Sequence, residues 1–183
     1  MPYLRVVSVR KVGQALVRLR KAYLATISSG TYQYYHVSVI LMYLFSVLED
    51  IVAIHQMDFI VKTKKDRSDG VLVSYPVFLE YAMRVGIADT DILQDTLFAI
   101  VGIRNTLAHS FIDSNLPFNR ILTEFNAIEC MRIFKNAFNS INLSKEAKIA
   151  GYELLYDLFR RDGLRIDNNF ETLYTWELNL LKG

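Results

Sequence analysis

The sequence predicts an all-α fold, a helical bundle with four to five core helices and a C-terminal two-helix extension. Three observations predict the helical class. Apolar residues recur at steps of three and four along most of the chain, which is the period of a helix face rather than of a strand. The 183 residues include only 8 Gly and 3 Pro, too few for a sandwich or barrel joined by many tight turns. Hydrophobic residues make up 52% and charged residues 22%, a balance that excludes intrinsic disorder and supports one packed core.

The first helix follows from Val12, Leu16, Leu19, Tyr23 and Ile27, which line one side of a rod turning about 100° per residue. Arg10, Lys11, Arg18 and Lys21 fall on the other side. Two readings of these cations stand together. They form an ordinary solvated face, or a stripe that tracks phosphates by displacing the counterions of a nucleic-acid backbone. Residues 1–48 hold six basic residues and no acid, whereas the remainder holds 15 basic and 19 acidic residues. The net charge of +2 therefore hides a basic N-terminal quarter.

Ser28-Ser29-Gly30-Thr31 predicts a turn, with Thr31 able to cap the next helix. That helix, about 31–57, is apolar on nearly every side and belongs at the centre of a bundle or against a second subunit. Its stretch Thr31–Leu48 has no charged residue. Thr31, Gln33, His36, Ser38 and Ser46 interrupt it and Glu49-Asp50 close it, so a buried helix is expected rather than a membrane span. Residues 58–74 are mixed and polar and predict an exposed loop. A short helix is expected over Val77–Val85. Asp91 followed by Gln94 resembles a capping box opening a fourth helix over about 91–112. Asp113-Ser114-Asn115-Leu116-Pro117 breaks the pattern. A fifth helix, about 117–141, carries Phe118, Leu122, Phe125, Cys130, Met131, Phe134 and Phe138 at helical spacing. Residues 145–160 and 169–181 predict two more amphipathic helices around Arg161-Asp162-Gly163. The expected division is a bundle over 1–142 and an extension over 143–183 packed on it.

Cys130 is the single cysteine, which excludes an internal disulfide and a cysteine-rich zinc site and suits a reducing compartment. The first residues lack the apolar run of a signal peptide, so a cytoplasmic location is expected. His36, His55 and His109 are scattered and show no metal-ligand spacing, and no glycine-rich phosphate loop is present. Neither a metal nor a cofactor is expected.

The chemistry concentrates in Ile103-Arg104-Asn105-Thr106-Leu107-Ala108-His109-Ser110-Phe111. In helical phase Ile92, Leu93, Leu97, Ile100, Val101, Ile103, Leu107, Ala108 and Phe111 cover about half of the circumference. Asn105 and His109 lie together outside that arc with Gly102 and Gln94. Arg104 lies within it, between Leu93 and Leu97. A guanidinium there needs an anion. Glu49 or Asp50 could supply it as an ion pair, a phosphate entering a cleft could supply it instead, and the two can alternate. A fixed cation, an orienting amide and an imidazole titrating near neutrality are the ingredients of metal-free RNA cleavage. Arg104 and His109 are about 140° apart around a straight helix, a gap that arginine's reach and a two-fold axis beside this helix would close.

Arg104-Asn105-Thr106-Leu107-Ala108-His109 resembles the R-x(4–6)-H signature of HEPN domains, in the form where Asn follows Arg. Catalytic members of that family are small helical bundles that cut RNA as dimers without metal, in toxin–antitoxin pairs, abortive-infection systems, anticodon nucleases and RNA-targeting CRISPR effectors. The resemblance covers about residues 1–142. It implies that Arg104 and His109 are catalytic, that Asn105 supports them, and that the partners are RNA, a second copy of the chain and an antitoxin or regulatory protein. Some HEPN toxins extend the signature to R-x(4)-H-x-Y. Phe111 stands at the tyrosine position and has no hydroxyl to modify, so control by nucleotidylation there is not expected. The alternatives are a non-catalytic HEPN-like module binding RNA, nucleotide or a protein partner, and a plain helical interaction domain.

Overall fold

The structure, a computed structural model, describes residues 7–30, 34–63, 75–109, 127–161 and 168–183, with side chains over 7–30, 39–56, 78–102, 104–105, 128–159 and 175–183. Seven helices and no strand occur among the described residues. They are α1 (Val9–Ser28), α2 (Tyr34–Thr63), α3 (Tyr75–Arg84), α4 (Asp91–His109), α5 (Ala127–Asn139), α6 (Lys145–Arg161) and α7 (Asn168–Lys182).

Helix α2 is the hub, packing against α1, α3, α4 and α5. Its Leu44, Leu48, Ile51 and Val52 are sealed from solvent, which accounts for the lack of a polar side in the sequence. Fully burying each such side chain contributes roughly 1.5–3 kcal/mol. Val39–Gln56 is the one described segment long and apolar enough to cross a membrane, and half of it is buried inside the protein. The helix also runs further than expected. Residues 58–63, expected in a loop, are helical: Phe59-Ile60-Val61 continue the apolar run of the helix, and no Gly or Pro intervenes before Gly70. The expected loop residues 64–74 lie outside the described residues.

The ends of the other helices follow from local chemistry. Ser8 caps α1 by accepting from the Lys11 backbone N–H, and Gly30 takes a φ of 69° just beyond its end. Helix α3 closes on Gly86 (φ 77°), with Ile87 N–H donating to the Ala82 carbonyl at 3.0 Å and Gly86 N–H to that of Met83 at 3.1 Å. This Schellman arrangement seats Ile87 against Ala82, both fully buried. Thr90, not Asp91, caps α4: its hydroxyl accepts from the Leu93 N–H at 3.3 Å. Asp91 sits one residue later, where its charge complements the helix N-terminus. Residues 110–126, before α5, lie outside the described residues, and with them the expected helix start at 117 and its Phe118, Leu122 and Phe125.

Described residues of the stretch 143–183 belong to the same core as the helices before them. Leu154, Leu155, Leu158 and Phe159 of α6 are buried, and Leu178 of α7 joins the cluster. An aromatic chain ties the halves together: Phe45 of α2 stacks on Phe134 of α5 at 5.9 Å, and Phe138 meets Tyr152 of α6 at 6.3 Å. Helix α6 runs parallel to α1, since Gly13 adjoins Ala147, Leu16 adjoins Gly151, and Arg20 pairs with Glu153 and Asp157. Two glycines make the approach possible. A Cβ on Gly13 would stand 3.1 Å from Ala147 Cβ, and one on Gly151 2.9 Å from the Phe138 ring.

Candidate functional site

Helices α2 and α4 bring the central candidates together. Leu93, Leu97 and Ile100 bury one side of α4. Arg104, in phase with them, is carried toward α2 and meets Glu49 there: Nη2 lies 2.8 Å from Glu49 Oε1. About a quarter of each side chain remains exposed (29% and 25%), so the pair borders solvent without being immersed in it. The second arm of the guanidinium turns the other way. Arg104 Nη1 donates to Asn105 Oδ1 at 3.1 Å. Glu49 and Asn105 thus hold the fork from two sides, and a planar five-donor group suits such a double grip.

The direction of that second bond matters. Asn105 is about 100° around the helix from Arg104, and His109 about 140°. The bond to Asn105 therefore draws the guanidinium away from the core toward the face on which His109 stands. His109 is the last residue of α4; its side chain lies outside the described residues, as does Phe111. Of the two acids expected to serve Arg104, Glu49 makes the contact, while Asp50 is a half-buried residue of α2.

The rest of α4 differs from its sequence reading at one edge. Ile92, expected in the apolar arc, is 62% exposed, and Phe98 is 69% exposed. Both lie about 100–140° from the buried line through Leu93, at or past the rim of the contact with α2 and α5. With Gly102, also exposed, they leave an open flank on α4 that continues toward Asn105.

Arg10, Lys11, Arg18 and Lys21 are all exposed on α1. Arg10, Arg18 and Lys21 line a groove of about 520 Å³, together with Gln14 of α1 and Asn142, Ser144 and Glu146 at the start of α6. The α6 contribution could not be read from the sequence, because it comes from a turn more than 120 residues away. Its one local signal is the small-residue spacing of Ala147 and Gly151, which lets α6 settle against α1.

Other reactive groups are buried. Burial pushes the Cys130 thiol up to about 12. The Tyr152 phenol is likewise pushed up to about 12, chiefly by burial, against a lowering hydrogen bond from Asn139. His55 Nε2 pairs with Ser140 Oγ at 2.9 Å, a tie between α2 and the end of α5. No group of three His, Cys, Asp or Glu residues able to hold a metal occurs among the described residues.

Comparison of the chain with protein-family models, with curated proteins and with solved structures finds no match.

Proposed function

We propose that the protein is a metal-independent endoribonuclease of the HEPN kind, acting as a homodimer in a toxin or antiviral defence setting. The observation that carries this reading is the double grip on Arg104: Glu49 at 2.8 Å and Asn105 at 3.1 Å present a fixed guanidinium at a solvent-bordered site on the helix that His109 ends. In this reading His109 takes the proton of a ribose 2′-hydroxyl, whose oxygen attacks the adjacent phosphorus. The bond to the 5′-oxygen breaks, that oxygen leaves protonated, and a 2′,3′-cyclic phosphate remains. Arg104 stabilises the charge that grows on the phosphoryl oxygens. Asn105 and Glu49 are positioning residues, acting through Arg104. The exposed flank of Phe98 and Gly102 on α4 supports a second copy of the chain as the neighbour that completes the cleft.

The test is cleavage of total RNA by the purified protein in the presence of a chelator. Arg104→Ala and His109→Ala are each expected to lower the rate by about 10²–10⁴, the usual weight of a general base or an electrostatic stabiliser. Full activity in His109→Ala would overturn the reading. A second reading, a non-catalytic module that binds RNA, nucleotide or a protein partner, is favoured by the fact that Glu49 already neutralises Arg104. It predicts retention of RNA without any cleavage.

A further inference from the structure

Four of the five cations of α1 divide into two groups by what they face. Arg20 is spent on the fold: it pairs with Asp157 and Glu153 of α6 and lies over the Tyr23 ring. Arg10, Arg18 and Lys21 make no ion pair among the described residues, although Glu146 of α6 lines the same groove. These three line the same groove. The other polar groups there are Gln14, Asn142 and Ser144, amides and a hydroxyl able to bond phosphate or ribose oxygens, and Glu146 is the one carboxylate among the described lining residues.

Three further features define what fits. The groove is bounded by helices whose N-terminal ends lie at the same end of the bundle, because α1 and α6 run parallel; their dipoles add to the positive potential there. From Arg10 to Lys21 the cations extend over ~16 Å of helix, too long for one phosphate and suited to several in succession. Among the described residues no aromatic side chain lines the groove, which leaves the backbone rather than the bases as the part of a strand these residues recognise.

We infer that the α1–α6 groove is a docking track for the sugar–phosphate backbone of an RNA strand, separate from the Arg104 centre on α4 and indifferent to base sequence. The occupant rests on the RNA reading above, but the site and its residues stand apart from those proposed to cut. Arg10, Arg18 and Lys21 each neutralise a phosphate, Gln14, Asn142 and Ser144 contact backbone oxygens, and Glu146 limits how tightly the strand is held.

The test measures binding of a mixed-sequence 2′-O-methyl RNA oligonucleotide, which no 2′-hydroxyl attack can cleave, by fluorescence anisotropy at several salt concentrations. Three phosphate contacts on a single strand contribute about 2 to the slope of log affinity against log salt, roughly a 20-fold weakening from about 50 to about 200 mM. In Arg10→Gln/Arg18→Gln/Lys21→Gln that share of the slope is lost, while Glu146→Gln tightens binding and Arg84→Gln, on α3, changes the slope little. All these side chains are exposed, so an unchanged melting temperature checks the fold. A triple variant with the wild-type slope overturns the track, as does wild-type protein that ignores the oligonucleotide. Equal affinity for a mononucleotide also overturns it, since the occupant would then be a free nucleotide. Wild-type protein that binds through this groove yet never cuts RNA leaves the track standing and removes the nuclease instead.

Discussion

Removing Glu49 tests whether the grip on Arg104 is an energetic fact as well as a geometric one. In Glu49→Gln the guanidinium keeps its place in the apolar phase of α4 but loses the Glu49 carboxylate. An exposed ion pair is worth about 0–1 kcal/mol, and breaking a fully buried one costs about 3–5 kcal/mol. With 29% and 25% of the two side chains exposed, this pair belongs between those limits, and a loss of roughly 1–2 kcal/mol is expected. For 183 residues the unfolding entropy near 60 °C is about 0.38 kcal/mol/K, so the midpoint should fall by about 3–5 °C. The assay is a double-mutant cycle with Arg104→Gln, read by thermal and urea unfolding. Because the residues touch, the two losses should not add, and a coupling of about 1 kcal/mol is expected. A coupling within about 0.3 kcal/mol of zero would refute the idea that Glu49 fixes Arg104.

Three further outcomes follow from packing and burial. Gly151→Ala should destabilise by about 1–3 kcal/mol, because its Cβ would stand 2.9 Å from the Phe138 ring where three helices meet. Gly102→Ala should do the reverse, gaining about 0.5–1 kcal/mol in urea unfolding, since nothing lies within 4 Å of its Cβ position and helical glycine is costly. Cys130 should resist a thiol reagent at neutral pH until the protein unfolds. Its thiol is held neutral in the fold, with a value raised from 9.0 to about 12, so the stabilisation is complete below 9.0 and is lost as pH rises from there toward 12. Tyr152, raised from 10.0 to about 12, adds to the same alkaline loss, which urea titrations across that window would measure.

Much of the architecture was legible because it depends on local periodicity. The Val12, Leu16, Tyr23 line of α1 is buried, and its opposing cations are exposed. An all-round apolar α2 belongs at the centre of a bundle or against a second subunit, and it packs against four other helices. Arg104 was legible as a charge in the wrong phase, and Glu49 as its answer, because few acids are available at the end of α2. What escaped depends on relations that periodicity does not encode. Thr90 outcompetes Asp91 as the α4 cap, a matter of one residue's register. The course of α2 through residues 58–63 follows Phe59-Ile60-Val61, an apolar run with no Gly or Pro to stop the helix, although charged residues flank it. The depth of α6 in the core, and the groove it forms with α1, arise from parallel packing of distant segments through Gly13 and Gly151. The bond from Arg104 to Asn105 was not foreseen either: adjacent residues on a helix point about 100° apart, and only arginine's length lets them meet.

The central claim is that Arg104 and His109 drive attack by a ribose 2′-hydroxyl without a metal. Its most direct measurement is cleavage, in the presence of a chelator, of an RNA carrying a single 2′-deoxynucleotide at the mapped cleavage site, with the product ends of the all-ribose control determined alongside. The account predicts that the control yields a 2′,3′-cyclic phosphate and a 5′-hydroxyl and that the single missing hydroxyl abolishes the cut. Cleavage that persists at the deoxynucleotide, or that leaves a 5′-phosphate, would contradict it.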